Sequence, residues 1–320
     1  MTRLVGPLPS LHPALSTAGL RLALQATLLL AMAASVATRT WQDHAWLGFL
    51  LVAITVAAWL PEVGHRRARS WWFVYVAGIF LYTLLRSYAD ETALPIRASY
   101  AAETDRILFF GADPGAWLQA HFFEPPALSF LDWAAVLVHW SFFVAPHAMA
   151  VAIFLLRRDL FPRYTALIVG TMALGLVAFF AIPTAPPWLA SGAGEFPHVF
   201  RIMDYVGGEA NAGAYDSLYA SFGEPNSVAA MPSVHMAVTF ALWLWAREHY
   251  PRRAPLLLAY NAVMALSLVY LAEHWVLDLV AGMAVAWVCH VAVRLAVTPR
   301  AATPAQPQQL APARVVEERG

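Results

Sequence analysis

A short polar segment, EHWVLDLVAG, interrupts a long apolar stretch of this chain and contains the residues best suited to chemistry. Its His274 is followed four residues later by Asp278. On a helix this spacing puts both side chains on one face, at neighbouring positions. A carboxylate that accepts the hydrogen of one imidazole nitrogen leaves the lone pair of the other nitrogen available as a nucleophile or base. The pair alone is equally compatible with a contact that only ties helices together.

A second histidine, His235, lies in MPSVHM, two residues after Ser233. Two imidazoles on one face supply what phosphoester transfer needs, because one can attack phosphorus while the other protonates the leaving oxygen. Ser233 and the free backbone N–H groups of a helix start can bind phosphate oxygens. Since Pro232 precedes it, Ser233 is also placed to cap that helix, and for this residue alone capping is the simpler interpretation.

Cations must accompany a dianionic phosphate, because phosphoryl transfer depends on charge stabilisation and positioning. All 20 basic residues of the chain are arginines. We predict that Arg86, in LLRSYAD, and Arg201 bind the phosphate; an ordinary interfacial role is the alternative for both. A zinc site built from His235, His274 and Asp278 is conceivable, but the H-E-x-x-H spacing is missing, so we predict neither a metal nor another cofactor.

Three further histidines, His139, His147 and His290, lie inside apolar blocks and lack a comparable motif. We predict that they make hydrogen bonds between helices. The single cysteine, Cys289, can build neither a disulfide framework nor a thiolate metal cluster.

The elements that position these residues are predicted to be membrane helices. The chain is 60% hydrophobic and 12% charged, and its apolar residues form blocks of about 20, the length that crosses a bilayer. This composition disfavours a soluble globular fold, and the zero net charge without a broad basic face predicts no nucleic-acid partner. We expect an all-α integral membrane protein with about eight transmembrane helices. The predicted spans are 16–38, 44–61, 70–87, 128–156, 163–183, 229–248, 254–272 and 274–297.

Arginines fall mainly in the loops on one side of these spans, which places both termini in the cytoplasm of a multi-pass protein of the cell membrane. The motifs AIPTAPPW, MPSVHM and EHWVLDLVAG then all face outside, which predicts an active site on the extracytoplasmic side. A cleaved signal peptide that includes the apolar run after Arg21 is the alternative for the N-terminus, and it leaves the later helices oriented as before.

Two long connections lie outside in this topology. The first, about 88–127, carries apolar side chains that predict segments in the plane of the membrane interface. The second, about 184–228, is rich in glycine and polar residues. We divide the chain into N-terminal transmembrane helices with a cytoplasmic loop at 1–69, a catalytic membrane domain at 70–297 and a disordered cytoplasmic tail at 298–320.

The motifs PSVH and EHWVLD resemble the second and third signature motifs of the type 2 phosphatidic acid phosphatase superfamily. PTAPPW, NSVAAMPSVH, VYLAEHWVLDLVAG, LLRSYAD and LFFGADPGAWLQ are similar to its inositolphosphotransferase or inositol phosphorylceramide synthase branch, over about residues 70–290. The resemblance implies a six-helix core in which His274 is the nucleophile, oriented by Asp278, and His235 is the general acid.

Two departures from the superfamily pattern concern phosphate binding. The first motif, with its lysine, arginine and proline, is missing, and PTAPPW occupies that helix end. Leu268 stands where the third motif usually carries an arginine six residues before its histidine. Both departures raise the importance of Arg86 and Arg201, and they argue against an ordinary phosphatase more than against activity.

We therefore expect an enzyme that acts on a lipid phosphate substrate among membrane lipids. Water as the acceptor makes it a phosphatase, whereas a hydroxylated lipid or sugar makes it a phosphotransferase, with inositol phosphate as one candidate for the moved group. The alternative is a non-catalytic membrane protein that binds lipid headgroups, or a transporter. Such a protein has no need of Asp278 four residues after His274.

Overall fold

The computed structural model of the chain describes residues 66–86, 94–192, 196–209 and 228–296, with residues 88 and 194 and scattered positions between 25 and 34. The predicted spans at 16–38 and 44–61 lie largely outside the described residues, and the tail after residue 297 lies wholly outside them.

Across the described part of the chain the secondary structure is helical, and extended backbone pairs only in isolated bridges. The principal helices, in chain order, are α1 Arg66–Arg86, α2 Ser99–Leu108, α3 Pro114–Phe122, α4 Phe130–Ser141, α5 Ala145–Leu156, α6 Phe161–Ala181, α7 Pro187–Gly192, α8 Val234–His249, α9 Ala254–Tyr270 and α10 Val276–Ala296. The predicted all-α class is confirmed for these residues.

Two helical segments among the described residues are long and apolar enough to cross a membrane, namely Arg158–Ala181, which includes α6, and α10. The bent pair of α4 and α5 makes a third if it counts as one span. The apolar part of α1, Ser70–Arg86, and the apolar helix α9 are shorter. These lengths and compositions are those of a membrane protein, while the predicted number of eight spans is not confirmed.

The block predicted as a single span at 128–156 is two helices that meet at 44°. Pro146 lies in the first turn of α5. Proline has no N–H for the helix ladder, and its ring clashes with the carbonyl four residues earlier, here that of Phe142. The bend is therefore a proline effect. It separates His139, near the end of α4, from the rest of the apolar block.

The predicted break within 254–297 is confirmed. The backbone turns between Tyr270 and Val276, and Ala272 takes a left-handed conformation with φ of 60°. The N–H groups of Glu273 and His274 both donate to the carbonyl oxygen of Leu268, at 3.1 and 3.3 Å. This turn delivers His274 to the start of α10 with a fixed backbone.

Helix α8 lies at the centre of the helices and packs against α5, α6, α9 and α10. Close approach is possible because glycines face its first turn. A Cβ atom on Gly282 of α10 would lie 2.3 Å from the carbonyl oxygen of Ser233, and one on Gly175 of α6 would lie 2.6 Å from Cγ2 of Val234. Small residues on both neighbours therefore hold the start of α8 in place, and that start carries His235.

Helices α2 and α3 lie in the first connection that the sequence predicts to be outside, and this region presents apolar side chains to the surroundings. Ile107 is 78% exposed, Phe110 is fully exposed, and Trp117 and Phe122 are half exposed. The side chain of Asp113 accepts a hydrogen bond from the backbone N–H at the start of α3 and so caps that helix. Exposed aromatic and aliphatic side chains of this kind are typical of segments in the membrane interface.

Candidate active site

The PTAPPW segment at 183–188 joins the two histidine motifs. Thr184 exchanges two backbone hydrogen bonds, of 2.8 and 3.1 Å, with the segment 228–230 that leads into α8. The indole N–H of Trp275 donates to the carbonyl oxygen of Ala185 at 2.9 Å. The three motifs that the sequence placed at helix ends therefore meet at one end of the bundle, and PTAPPW positions the other two.

His274 and Asp278 lie side by side, as their spacing predicts. Nδ1 of His274 is 3.4 Å from Oδ2 of Asp278, and the two side chains are 6% and 0% exposed. The same Oδ2 accepts the backbone N–H of Trp275 at 2.9 Å. A distance of 3.4 Å is longer than a usual N–H···O hydrogen bond, and hydrogen bonds of catalytic groups often tighten only when the substrate binds.

The other ring nitrogen of His274 faces His235. Nε2 of His274 lies 3.4 Å from Nδ1 of His235, and the ring centroids are 5.6 Å apart in an edge-to-face arrangement. The two histidines are 39 positions apart in the chain, and the packing of α8 against α10 brings them together. This order, Asp278 then His274 then His235, is the arrangement that a nucleophile with an orienting carboxylate and a neighbouring acid requires.

Several buried polar atoms of this cluster lack a hydrogen-bonding partner within the described residues: Nε2 of His235, Nδ1 of His274 and Oδ1 of Asp278. Buried polar atoms are normally paired, so each unpaired one needs an explanation. An oxygen atom of a bound phosphate would supply an acceptor for an N–H at Nε2 of His235, whereas Nδ1 of His274 faces the carboxylate of Asp278. No group of three His, Cys, Asp or Glu side chains in the described ranges is arranged to hold a metal ion.

Ser233 serves as the N-terminal cap of α8. Its hydroxyl accepts the backbone N–H of Met236 at 3.3 Å, and its own N–H donates to the carbonyl oxygen of Asp278 at 2.9 Å. The residue is fully buried. These contacts match the capping interpretation and tie the start of α8 to the first turn of α10; binding of phosphate by Ser233 stays a prediction.

Arg86, the last residue of α1, lies within electrostatic range of both His139 and His235. Its guanidinium also interacts with Tyr82, one turn earlier on the same helix. Leu268, at the position where the family's third motif carries an arginine, is completely buried within the core. Position 268 therefore supplies no cation to the histidines, and the binding of phosphate by Arg86 stays a prediction.

Arg201 is held beside the third motif by two contacts. Its Nε donates to Oε1 of Glu273 at 3.0 Å, and the guanidinium carbon lies 4.4 Å from the ring centroid of Trp188. It also contacts the exposed Asp204 at 3.4 Å. Arg201 acts electrostatically on His139 as well. Both predicted arginines thus approach the histidine cluster, and Glu273 and Trp188 are site residues that the sequence prediction left out.

His139 is a third histidine of the cluster, although its position inside an apolar block predicted only helix packing. Its ring lies 4.5 Å from that of His235, tilted by 36°, and its side chain is 3% exposed. The one sequence feature that could have indicated a functional role is the presence of a polar residue, His139 itself, near the end of the apolar helix α4. The contact depends on how α4 and α8 approach each other, which spacing along the chain does not reveal.

Comparison with known proteins agrees with this arrangement. The family model described as the PAP2 superfamily matches residues 102–292, more than half of the chain. The chain belongs to the PAP2 superfamily. The matched region begins in α2 and ends in α10, so it contains both histidine motifs and PTAPPW. The family resemblance read from the motifs is confirmed.

Two curated relatives share part of this PAP2 region. Inositol phosphorylceramide synthase of Candida albicans is 30% identical over 169 residues, which are 48% of this chain and 34% of the relative. The inositol phosphorylceramide synthase catalytic subunit aur1 of Schizosaccharomyces pombe is 28% identical over 121 residues, which are 37% and 29% of the two chains. The match thus spans about a third of the length of these relatives. No solved structure matches the chain significantly.

Proposed function

We propose that this protein is a membrane-embedded enzyme that transfers the phosphoryl-containing group of a lipid phosphoester through a phosphohistidine on His274. The observation that carries the proposal is the position of His274, with one ring nitrogen at the carboxylate of Asp278 and the other at His235. Membership of the PAP2 superfamily supports the same reaction class.

The reaction proceeds in two displacements. Nε2 of His274 attacks phosphorus, the bond from phosphorus to the leaving oxygen breaks, and His235 gives that oxygen a proton. The imidazole of His274 becomes positively charged, and Asp278 stabilises this charge. An acceptor hydroxyl then attacks the phosphorus, His235 takes the hydroxyl proton, and the P–N bond breaks. Arg86 and Arg201 offset the negative charge of the phosphate oxygens.

The contact between the two histidines also constrains how the phosphate enters. A reacting atom sits about 3–3.5 Å from its nucleophile before attack. The two facing nitrogens of His235 and His274 are only 3.4 Å apart, so a phosphorus atom does not fit on the line between them. The phosphate must therefore approach from the side of both rings, or its binding must separate them.

The acceptor decides between two activities that share these steps. The relatives are named inositol phosphorylceramide synthases, which favours a phosphotransferase with an inositol phosphate as the moved group and a hydroxylated lipid as the acceptor. A lipid phosphate phosphatase, with water as the acceptor, is the second candidate, because the chemistry at the histidines is the same.

A substrate assay with purified protein tests the proposal. The protein is incubated separately with phosphatidylinositol plus ceramide, with phosphatidic acid and with a prenyl diphosphate, and both free phosphate and new lipids are measured. A new phospholipid indicates the transferase, and free phosphate alone indicates the phosphatase. If neither forms with any donor while headgroup binding is measurable, the protein is a non-catalytic binder or transporter instead.

Arg86 is expected to matter far more than Arg97. Removing a cation that acts on the histidine cluster should lower kcat/KM by about a hundredfold, as does loss of one preorganised charge-stabilising group elsewhere. Arg97→Ala is the matched control, because its side chain is exposed and its charge is screened by solvent. Steady-state kinetics of both variants check this. Equal small losses would show that the phosphate is held elsewhere, and Arg201→Ala would be measured next.

The membrane arrangement that we propose has about eight spans, a six-helix core and three domains divided at residues 70 and 298. The protein lies in the cell membrane with both termini in the cytoplasm and the active site outside.

Single cysteines at Gly192 or Gly208, in a Cys289→Ser background, test the orientation. A side chain at either position meets nothing within 4 Å, so the thiol is accessible. An impermeant thiol reagent should label both in intact cells; labelling only after lysis would reverse the orientation.

A further inference from the structure

Asp105 is a buried carboxylate far from the histidine motifs in sequence, yet it binds the start of α10. Its side chain belongs to α2 in the first outer connection and is 2% exposed. Oδ2 accepts the backbone N–H of Val276 at 2.7 Å, and Oδ1 accepts that of Leu277 at 3.0 Å. The first N–H groups of a helix have no partner within the helix. Asp105 thus satisfies two of them from 171 and 172 residues away.

The sequence before α10 explains why this cap comes from a distance. Helix caps are usually Ser, Thr, Asp or Asn at the residue just before the first turn. Here that residue is Trp275, and His274 precedes it. Neither carries an oxygen that can accept the N–H groups, and His274 is needed for another task. Asp278 accepts the N–H of Trp275, so the two carboxylates together satisfy three consecutive N–H groups.

Further contacts keep helix α2 in place against the motifs. The hydroxyls of Tyr100 and Thr184 are 2.6 Å apart, which joins α2 to PTAPPW. Ala101 and Ala102 are completely buried in a cluster with Trp275. The carboxylate of Asp105 is therefore attached to a helix that packs on both PTAPPW and the third motif.

We propose that Asp105 is a positioning residue of the active site: it fixes the first turn of α10 and thereby the contact between Asp278 and His274. The effect on catalysis rests on the proposed function, whereas the effect on the helix turn does not. Asp105 acts without touching the substrate. The exposed apolar tip that follows it, at residues 107–110, keeps this helix at the membrane interface.

The charge state of Asp105 suits the role. Burial raises the pKa of its carboxyl to about 6, with the two backbone N–H groups opposing the rise and the carboxylates of Asp278 and Asp113 adding to it. The carboxyl is accordingly ionised at neutral pH. Both of its oxygens then accept hydrogen bonds, and its negative charge lies at the positive end of the α10 dipole.

Hydrogen exchange on Asp105→Asn tests the turn without any substrate. Asparagine has a similar volume but only one acceptor oxygen, so its amide group cannot satisfy both N–H groups. We expect faster exchange of the backbone amides at 275–278 in purified D105N, with the rest of α10 unchanged. Asp113→Asn is the matched control, because Asp113 caps α3 in the same connection. Unchanged exchange at 275–278 in D105N would overturn the proposal, whatever the activity.

Kinetics then test the consequence for catalysis. A misplacement of catalytic groups by about 1 Å can cost about a hundredfold, so D105N should lose tenfold to a hundredfold in kcat with little change in KM. D113N should keep the native kcat, and the thermal midpoints of both variants in detergent separate lost function from lost folding.

Asp105→Glu keeps two acceptor oxygens. This variant should retain more of the native kcat than D105N and more protection of the amides at 275–278 from hydrogen exchange. A native kcat in D105N, or a loss that only follows the folded fraction, would contradict the positioning role.

Discussion

Replacing His274 with alanine is expected to abolish turnover with every phosphoester substrate, whatever its leaving group. In the proposed mechanism its imidazole forms the covalent bond to phosphorus, and alanine has no group that can take over that step. Loss of a residue that acts as the nucleophile elsewhere lowers kcat by about a millionfold, so the variant should fall below detection. Release of phosphate and formation of new lipid by purified protein are the measurements.

The exposed His121, in the first outer connection, provides a control for this experiment. His121→Ala removes an imidazole whose contacts within the described part of the chain are with Trp117 and Phe122 of its own helix, and it should leave turnover intact. A His274→Ala protein that is folded and still turns over more than traces of substrate would exclude the phosphohistidine route through His274.

Replacing His235 with alanine is expected to be severe with some substrates and mild with others. A general acid contributes about a hundredfold to ten-thousandfold, and its contribution grows with the need of the leaving oxygen for a proton. With an alkoxide leaving group such as diacylglycerol, the loss should approach the upper value. With nitrophenyl phosphate the leaving group departs with little help, so formation of the phosphoenzyme should be largely preserved. Rapid-quench kinetics with both substrates measure the difference.

The same variant should trap the intermediate. His235 is also needed to take a proton from the incoming acceptor, so the phosphoenzyme formed from nitrophenyl phosphate should accumulate in His235→Ala. A phosphohistidine is acid-labile and base-stable, and peptide mass spectrometry can locate it. Phosphate on His274 in this variant, and none in His274→Ala, is the expected result. Phosphate on His235 of the native protein would mean that His235 is the nucleophile and His274 the general acid. If no variant carries a phosphohistidine, direct displacement by the acceptor would be favoured.

The pair of His274 and Asp278 could be predicted because residues four apart lie together on a helix. In the structure α10 begins at Val276, so His274 lies in the preceding turn, and the backbone of that turn brings it to Asp278. The separation of α9 and α10 was predictable for a similar reason, since the apolar block at 254–297 is too long for one span. The prediction was wrong for the block at 128–156, which was expected to be one span. Pro146 indicates a bend there, but the prediction relied on the length of the apolar block.

His139 shows where a single sequence stops being informative. In the sequence, a histidine that packs only against another helix cannot be told apart from one that packs against a candidate catalytic residue such as His235. Its contact with His235 follows from the bend between α4 and α5 and from the central position of α8, and neither is written in the local sequence. Arg201 is similar, because Glu273 and Trp188 contact its guanidinium only when residues far apart in the chain have packed together.

By itself the sequence determined the membrane class, the helical fold and the family, and it singled out His235, His274 and Asp278 as candidates, because composition, span length and the spacing of motif residues depend on local chemistry. Only the tertiary structure decided that the two histidine rings touch, that PTAPPW joins their motifs, and that Asp105 caps α10. These contacts join residues up to 172 positions apart. Their formation depends on the packing of whole helices around small residues such as Gly282, and no periodicity along the chain encodes which partners that packing brings together.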